Sequence, residues 1–334
     1  MKKQNAFKIM ALLMVGALTL GCQPEEEPEA TPAPASGDNP IESIMPDATV
    51  TVVANYRIKL RQGVEEGDWW LSPEGGFSDG PSLLAPFRSA GTGSMFTNGD
   101  QFRILTAKHI VDATASQLIM GNEQALASVA ALLVEKTGWN PEGLTQAQME
   151  QFILGMADNF FEAVPLASPG HFVLPGTSEV TYMDQLKAMP EATPDVAFQY
   201  VRSQLGERSD FAVIAPQNTH FSHSAAYRLE GLASYDELEK IAAGADHRDV
   251  LAYGFPDQEG LSFKPRPSKG FLVSWDGESL RLSLANSWEG SSGSLIACEG
   301  KLIGLVYRFA DDKKNLMAEP AYLIKHKLKE AFAR

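Results

Sequence analysis

The turn Gly290-Ser291-Ser292-Gly293-Ser294 constrains this chain more than any other stretch. An apolar-alternating run, Leu280-Arg281-Leu282-Ser283-Leu284, precedes it, and Lys301-Leu302-Ile303-Gly304-Leu305-Val306-Tyr307 follows it. Both runs read as strands, so the turn must reverse the chain within a few residues. Its glycines remove Cβ atoms where the backbone bends sharply or a ligand comes close. A hydroxyl is thereby held out on a constrained backbone. The N–H groups of Gly290 and Ser292 are free to converge on one point, as an oxyanion hole requires. Taken alone, the turn reads equally well as an ordinary glycine-serine hairpin connection.

The strand pattern begins far upstream. Thr49 to Leu60 is β-branched and alternating, a first strand. Residues 63–82 read as a long loop whose Trp69-Trp70 pair covers a core edge. Then come Ser89-Ala90-Gly91-Thr92-Gly93-Ser94-Met95-Phe96 and Phe102-Arg103-Ile104-Leu105-Thr106-Ala107-Lys108-His109-Ile110-Val111, joined through Asn98-Gly99. Asn-Gly between two apolar runs is a strong hairpin signal. The second strand of this hairpin delivers His109 at its end.

Gly91-Thr92-Gly93-Ser94 followed by Leu105-Thr106-Ala107-Lys108-His109-Ile110-Val111 resembles the histidine segment of chymotrypsin-like serine proteases. The resemblance covers about residues 48–112 and 195–334. It implies a mostly β fold of two six-stranded antiparallel barrels, with His109 as general base. The family's acid sits in an Asp-apolar-Ala-apolar strand, and both Asp195-Val196-Ala197-Phe198 and Asp210-Phe211-Ala212-Val213 fit. Asp210 is preferred, because its strand stays apolar through Ile214 and no further matching strand precedes the next family landmark. That landmark is Asp249-Val250-Leu251-Ala252-Tyr253-Gly254-Phe255-Pro256, an early strand of the second barrel. The turn register makes Ser292 the nucleophile, with Ser291 its adjacent rival. Chain order His109, Asp210, Ser292 is the chymotrypsin order.

The implied chemistry follows from the side chains. A serine hydroxyl is a poor nucleophile until a base lies within hydrogen-bond reach. Histidine can take that proton and return it to the leaving amine, while a carboxylate fixes its tautomer and steadies the imidazolium. The expected activity is therefore that of a serine endopeptidase acting on protein or peptide, with Gly290 and Ser292 supplying oxyanion-hole N–H groups. Pocket positions by resemblance are Asn286, Ser287, Val306, Tyr307 and Phe309. Val306 stands where glutamate-specific relatives carry a histidine, and nothing places a carboxylate at the pocket base. A small or apolar substrate side chain is expected. The alternatives are a catalytically inactive binding protein of the same fold and a lipoprotein that only scaffolds the envelope.

Residues 114–190 break the β pattern and read as a helical insert. Asn122 caps a helix to Thr137 with Gly138 past its end, and Thr145 with Gln148 forms a capping-box pair opening a second. Met149, Phe152, Ile153, Met156, Phe160 and Val164 keep one face of that helix apolar. The insert reads as a packed cap, or alternatively as a lid over the cleft. His220, His223 and His247 lack a sensible ligand spacing, so neither a metal nor a cofactor is expected. Tyr235 to Ala243 and Tyr322 to Phe332 read as further helices.

The N-terminus carries Lys2, Lys3 and Lys8, then an apolar run from Ile9 to Leu20 too short to span a bilayer. Leu18-Thr19-Leu20-Gly21-Cys22 resembles a bacterial lipobox, departing from it at Thr19, where leucine is usual. The resemblance implies a signal peptide over 1–21, lipidation of Cys22, and, with Gln23 following, a lipid anchor in the outer membrane of a cell envelope. Residues 22–47, acidic and proline-rich, read as a disordered tether to a protease domain over 48–334. Cys298, the other of two cysteines, reads as a buried strand residue. The formal charge of −14 leaves no basic stripe for phosphates and excludes nucleic acid as a partner.

Overall fold

The computed structural model describes residues 40–81, 84–166, 172–175, 198–205, 209–216, 225–244, 248–255, 265–285, 291–310 and 314–333. The strands are β1 (Thr49–Leu60), β2 (Trp70–Leu71), β3 (Phe77–Ser78), β4 (Phe87–Asn98), β5 (Gln101–Ala107), β6 (Phe161–Pro165), β7 (Phe172–Pro175) and β8 (Phe198–Leu205). They continue with β9 (Phe211–Pro216), β10 (Arg248–Gly254), β11 (Arg266–Trp275), β12 (Leu280–Leu284), β13 (Leu295–Cys298), β14 (Lys301–Phe309) and β15 (Leu316–Pro320). The chain divides into two compact units. The larger holds Ser36–Ala54, Ser89–Asp112 and Ala167–Arg334; the smaller holds Asn55–Arg88 and Ala113–Leu166.

In the larger unit, β10-β11-β12-β15-β14-β13 close into a six-stranded antiparallel barrel. A second sheet runs β1-β4-β5-β9-β8-β7 and continues from β1 into β2 and β3, with β6 also on β1, nine strands in all. β7 additionally pairs with β1, from Val50↔Pro175 to Val53↔Phe172. Where two six-stranded barrels were expected, the fold is thus one closed barrel and a larger sheet. The sheet is larger because the second half of β1 also pairs with β2 and β6, and β2 with β3.

One apolar core runs through the larger unit. Val52, Met95, Ile104, Leu105 and Val213 come from the sheet; Ala252, Leu282, Ile296 and Leu305 come from the barrel. Ile324 and Leu328 of the helix Ala321–Phe332 join them. At about 1.5–3 kcal/mol for each large side chain removed from water, this burial is the main stabilising term. The β4–β5 hairpin forms where Asn98-Gly99 signals it, but its two-residue loop is Gly99-Asp100, one residue further on: Asn98↔Gln101 and Thr97↔Phe102 are paired and Gly99 has φ +61.

In the smaller unit, helices Ala115–Met120, Glu123–Thr137 and Gln146–Phe160 pack on one another. The Asn122 side chain accepts from Ala125 N–H, Gly138 closes that helix in the left-handed region, and Thr145 with Gln148 forms a capping box. Trp139 stacks on Phe152 at 4.5 Å.

Three expectations need correction. The insert is not helical throughout: among the described residues its helices end at Phe160, and Val164 lies in β6 opposite Arg57, while residues 167–171 and 176–190 lie outside the described residues. Pro165 disfavours helical geometry at Val164, and Phe161 is already extended at φ −125, ψ 157. The tether does not reach residue 47, because Pro40–Ala48 is a helix that buries Met45 at 1% exposure. Ile41, Ile44 and Met45 give it an apolar side that the acidic composition upstream lacks. The loop over 63–82 contains the short strands β2 and β3.

Candidate active site

His109, Asp210 and Ser292 all belong to the larger unit. β5 ends at Ala107 and the chain enters a single helical turn, Lys108–Val111. Ile110 and Val111 anchor this turn in the core, which leaves His109 partly exposed. The first N–H groups of a helical turn have no partner within it, and no side chain at Ala107 caps this one. Asp210 does the capping. Its backbone oxygen accepts from Lys108 N–H at 3.2 Å and its Oδ1 from His109 N–H at 2.9 Å.

The other carboxylate oxygen, Oδ2, lies 2.6 Å from His109 Nδ1. A contact this short is of the charge-assisted kind. A carboxylate accepts, so Nδ1 is the donor of this pair, and Nε2 has no hydrogen-bond partner among the described residues. Asp210 N–H in turn donates to Oε1 of Glu319 on β15 at 2.9 Å. Glu319 is only 8% exposed. Burial pushes its carboxyl above the usual range and the nearby Asp210 charge adds to this, while bonds from Asp210 N–H and Ser209 pull the other way.

Ser292 sits on the turn before β13, partly exposed, whereas Ser291 is buried. Three backbone bonds shape the turn: Ser294 N–H to Ser291 O at 3.0 Å, Gly293 N–H to Val306 O at 2.7 Å and Val306 N–H to Ser294 O at 2.9 Å. Gly293 has φ +92, and a Cβ there would lie 1.8 Å from Thr92 O. Only glycine fits. Thr92 on β4 ties this turn to the strand pair that leads to His109. Its N–H donates to Ser292 O at 2.9 Å, and its own oxygen accepts from Thr106 Oγ1 of β5 at 2.7 Å. Its hydroxyl accepts from Phe255 N–H at 3.0 Å, just past β10. A Cβ at Gly91 would meet both Ile110 Cδ1, beside His109, at 2.2 Å and Ser292 O at 3.0 Å.

The Ser292 hydroxyl donates to Tyr307 O at 3.3 Å. Of the pocket positions, Tyr307 is half-buried, Phe309 is 36% exposed, and Val306 is buried in the core at 1%. Val306 therefore meets the turn through its backbone rather than its side chain. Cys298 is a free, buried strand residue whose thiol burial pushes up to about 11. Gly290, Asn286, Ser287, Cys22, Asp195, His220, His223 and His247 lie outside the described residues. Sequence reasoning missed Thr92 as a tie and Glu319 as the partner of Asp210. Glu319 had a signal, an acid inside the apolar run Leu316-Met317-Ala318-Glu319-Pro320.

No family model and no curated protein matches the chain. Among solved structures, it is similar to the inactive form of the Rv3671c protease, at 12% identity and TM-score 0.42 over 90% of this chain and 98% of that one. It is likewise similar to the active form of that protease from M. tuberculosis, at 13% identity and TM-score 0.42 over 93% of each chain. At these values the likeness is too loose to fix either the fold or the chemistry.

Proposed function

We propose that this chain is a serine endopeptidase of the chymotrypsin-like kind, with Ser292 as nucleophile, His109 as base and Asp210 as the acid that orients it. The observation that carries this reading is the His109–Asp210 pair, joined through both carboxylate oxygens and linked by Thr92 to the turn bearing a partly exposed serine. Nε2 of His109 takes the Ser292 proton as Oγ attacks the peptide carbonyl carbon. The oxyanion is met by the N–H of Ser292 and, by resemblance, of Gly290. His109 then returns the proton to the leaving amine, and water, deprotonated by the same nitrogen, releases the acyl group. Asp210 accepts no proton; it fixes the ring and steadies its charge. No cofactor enters this scheme.

One observation favours an inactive binding protein instead, the bond from Ser292 Oγ to Tyr307 O. At 3.3 Å it is longer than the usual O–H···O distance of about 2.7–2.8 Å. A rotation about one side-chain bond releases the hydroxyl, so this contact opposes attack only weakly. Incubating the purified chain with a mixed peptide library and reading cleavage by mass spectrometry decides between the two. Cleavage that disappears in Ser292→Ala supports the peptidase, and no cleavage by the wild type supports the binder. The same readout reports specificity, for which the bulky Tyr307 and Phe309 favour small or apolar side chains.

Two further parts of the reading extend it. The pairing of β7 with β1 supports a second six-stranded ring, β1-β4-β5-β9-β8-β7. The lipobox-like Leu18–Cys22 supports a lipid anchor on Cys22 in a bacterial envelope, so Cys22→Ala should move the protein from the membrane to the soluble fraction. Retention in the membrane by that variant would remove the anchor from the account.

A further inference from the structure

Asp210 has four polar atoms, and among the described residues each is held by a single partner. Lys108 N–H takes its backbone oxygen, His109 N–H takes Oδ1, and His109 Nδ1 takes Oδ2. These three come from the one helical turn that Asp210 caps. The fourth, Asp210 N–H, is taken by Glu319, which belongs to the barrel that carries Ser292. β15 presents Glu319 opposite Leu305 of β14, one residue before Val306, whose N–H and oxygen hold the Ser292 turn. A short path thus runs from the nucleophile turn by hydrogen bonds to Val306, along β14 to Leu305, across the strand pairing to Glu319 and by a hydrogen bond to the acid.

A carboxyl group buried in an otherwise apolar strand is unfavourable unless hydrogen bonds compensate it. Residues 316–320 would pair as well with an apolar side chain at 319. The acid is accounted for by what its Oε1 receives.

We infer that Glu319 is a positioning residue, a buried acceptor that fixes Asp210, and through it the His109 ring, at a set distance from Ser292. This rests on the peptidase reading for its consequence in turnover, and on geometry alone for the hold on Asp210. What Glu319 supplies is a hydrogen-bond acceptor in the correct place, which an uncharged amide oxygen also supplies. Glu319→Gln should therefore rescue what Glu319→Ala loses. Misplacement of a reacting group by about 1 Å costs on the order of a hundred-fold in rate.

The test compares wild type, Glu319→Ala and Glu319→Gln in two ways. In peptide cleavage, Glu319→Ala should lower kcat by about a hundred-fold with KM unchanged, and Glu319→Gln should restore most of it. In proton NMR, on a Ser292→Ala background that makes no demand on turnover, the low-field signal of the His109 Nδ1–H bonded to Asp210 should be sharp with Glu or Gln at 319. With Ala it should broaden or vanish. An unchanged signal and unchanged kcat in Glu319→Ala overturn the inference, as does a Gln variant no better than Ala. Should Glu319→Ala fail to fold, the Gln variant decides: loss of the signal there overturns the role. If the wild type cleaves nothing while the NMR contrast appears, the peptidase reading fails and the hold of Glu319 on Asp210 stands.

Discussion

Gly293→Ala puts the turn geometry to a quantitative test. The backbone there has φ +92, and the new Cβ would sit 1.8 Å from Thr92 O and 2.8 Å from Thr92 C. Real Cβ atoms do not approach closer than 3.0 Å, so the turn or β4 must yield by about 1.2 Å. The left-handed backbone costs about 1–2 kcal/mol for an L side chain, and forcing a methyl into packed surroundings about 1–3 kcal/mol. Together they predict a loss of about 2–5 kcal/mol in urea unfolding. Because Gly293 directly follows Ser292, the same displacement moves the hydroxyl by about 1 Å, and acylation by a fluorophosphonate should slow by about a hundred-fold. Gly99→Ala is the control. Its φ is +61 and nothing lies within 4 Å of the added methyl, so only the backbone cost of about 1–2 kcal/mol applies and the labelling rate is unchanged. Wild-type stability and labelling in Gly293→Ala would refute the close approach of this turn to Thr92.

Three other outcomes follow. Ser292→Ala should abolish peptide cleavage, a loss of about a million-fold by analogy with another serine protease, while Ser291→Ala, at a buried position, should leave turnover largely intact; the reverse pattern in kcat would make Ser291 the nucleophile. The N–H of Ser234, and then the Lys301 ammonium at 3.0 Å, hold the Glu237 carboxyl down at about 2. Because that value is depressed, the stabilisation is complete above the ordinary carboxylate range near 4.5 and is lost as pH falls toward about 2. The urea midpoint of wild type should therefore exceed that of Glu237→Gln at pH 7, with the gap shrinking below about pH 4.5 and closing only as pH falls through about 2; a constant gap contradicts this. Thr145→Ala removes the cap of Gln146–Phe160 and should cost about 1 kcal/mol in thermal unfolding, with no effect expected if the capping box is idle.

What the sequence made legible was local. Asn98-Gly99 specifies its own hairpin, and Thr145 with Gln148 specifies its own helix start, because the partners lie within a few residues. The helix Tyr235–Ala243 is local too, and the structure adds the Ser234–Glu237 capping box that opens it. Val164 misled because it suits a helical apolar face as well as a strand; the following proline and the pairing with the second half of β1 decided for the strand. His109 and Asp210 were found through the resemblance of their segments to those of chymotrypsin-like proteases, and they do meet. Thr92 and Glu319 were not, since their partners stand 200 and 109 residues away in sequence. A threonine flanked by glycines does not announce which carbonyl it will bind. The buried acid at 319 broke its apolar run, but only the fold shows that its neighbour is Asp210.

The most direct test of the central claim is the intact mass of the full chain after treatment with a fluorophosphonate, followed by peptide mapping. The account predicts one adduct, on Ser292, that is lost in His109→Ala and unaffected by Ser291→Ala. An unlabelled wild-type protein, or an adduct whose formation does not depend on His109, would contradict it.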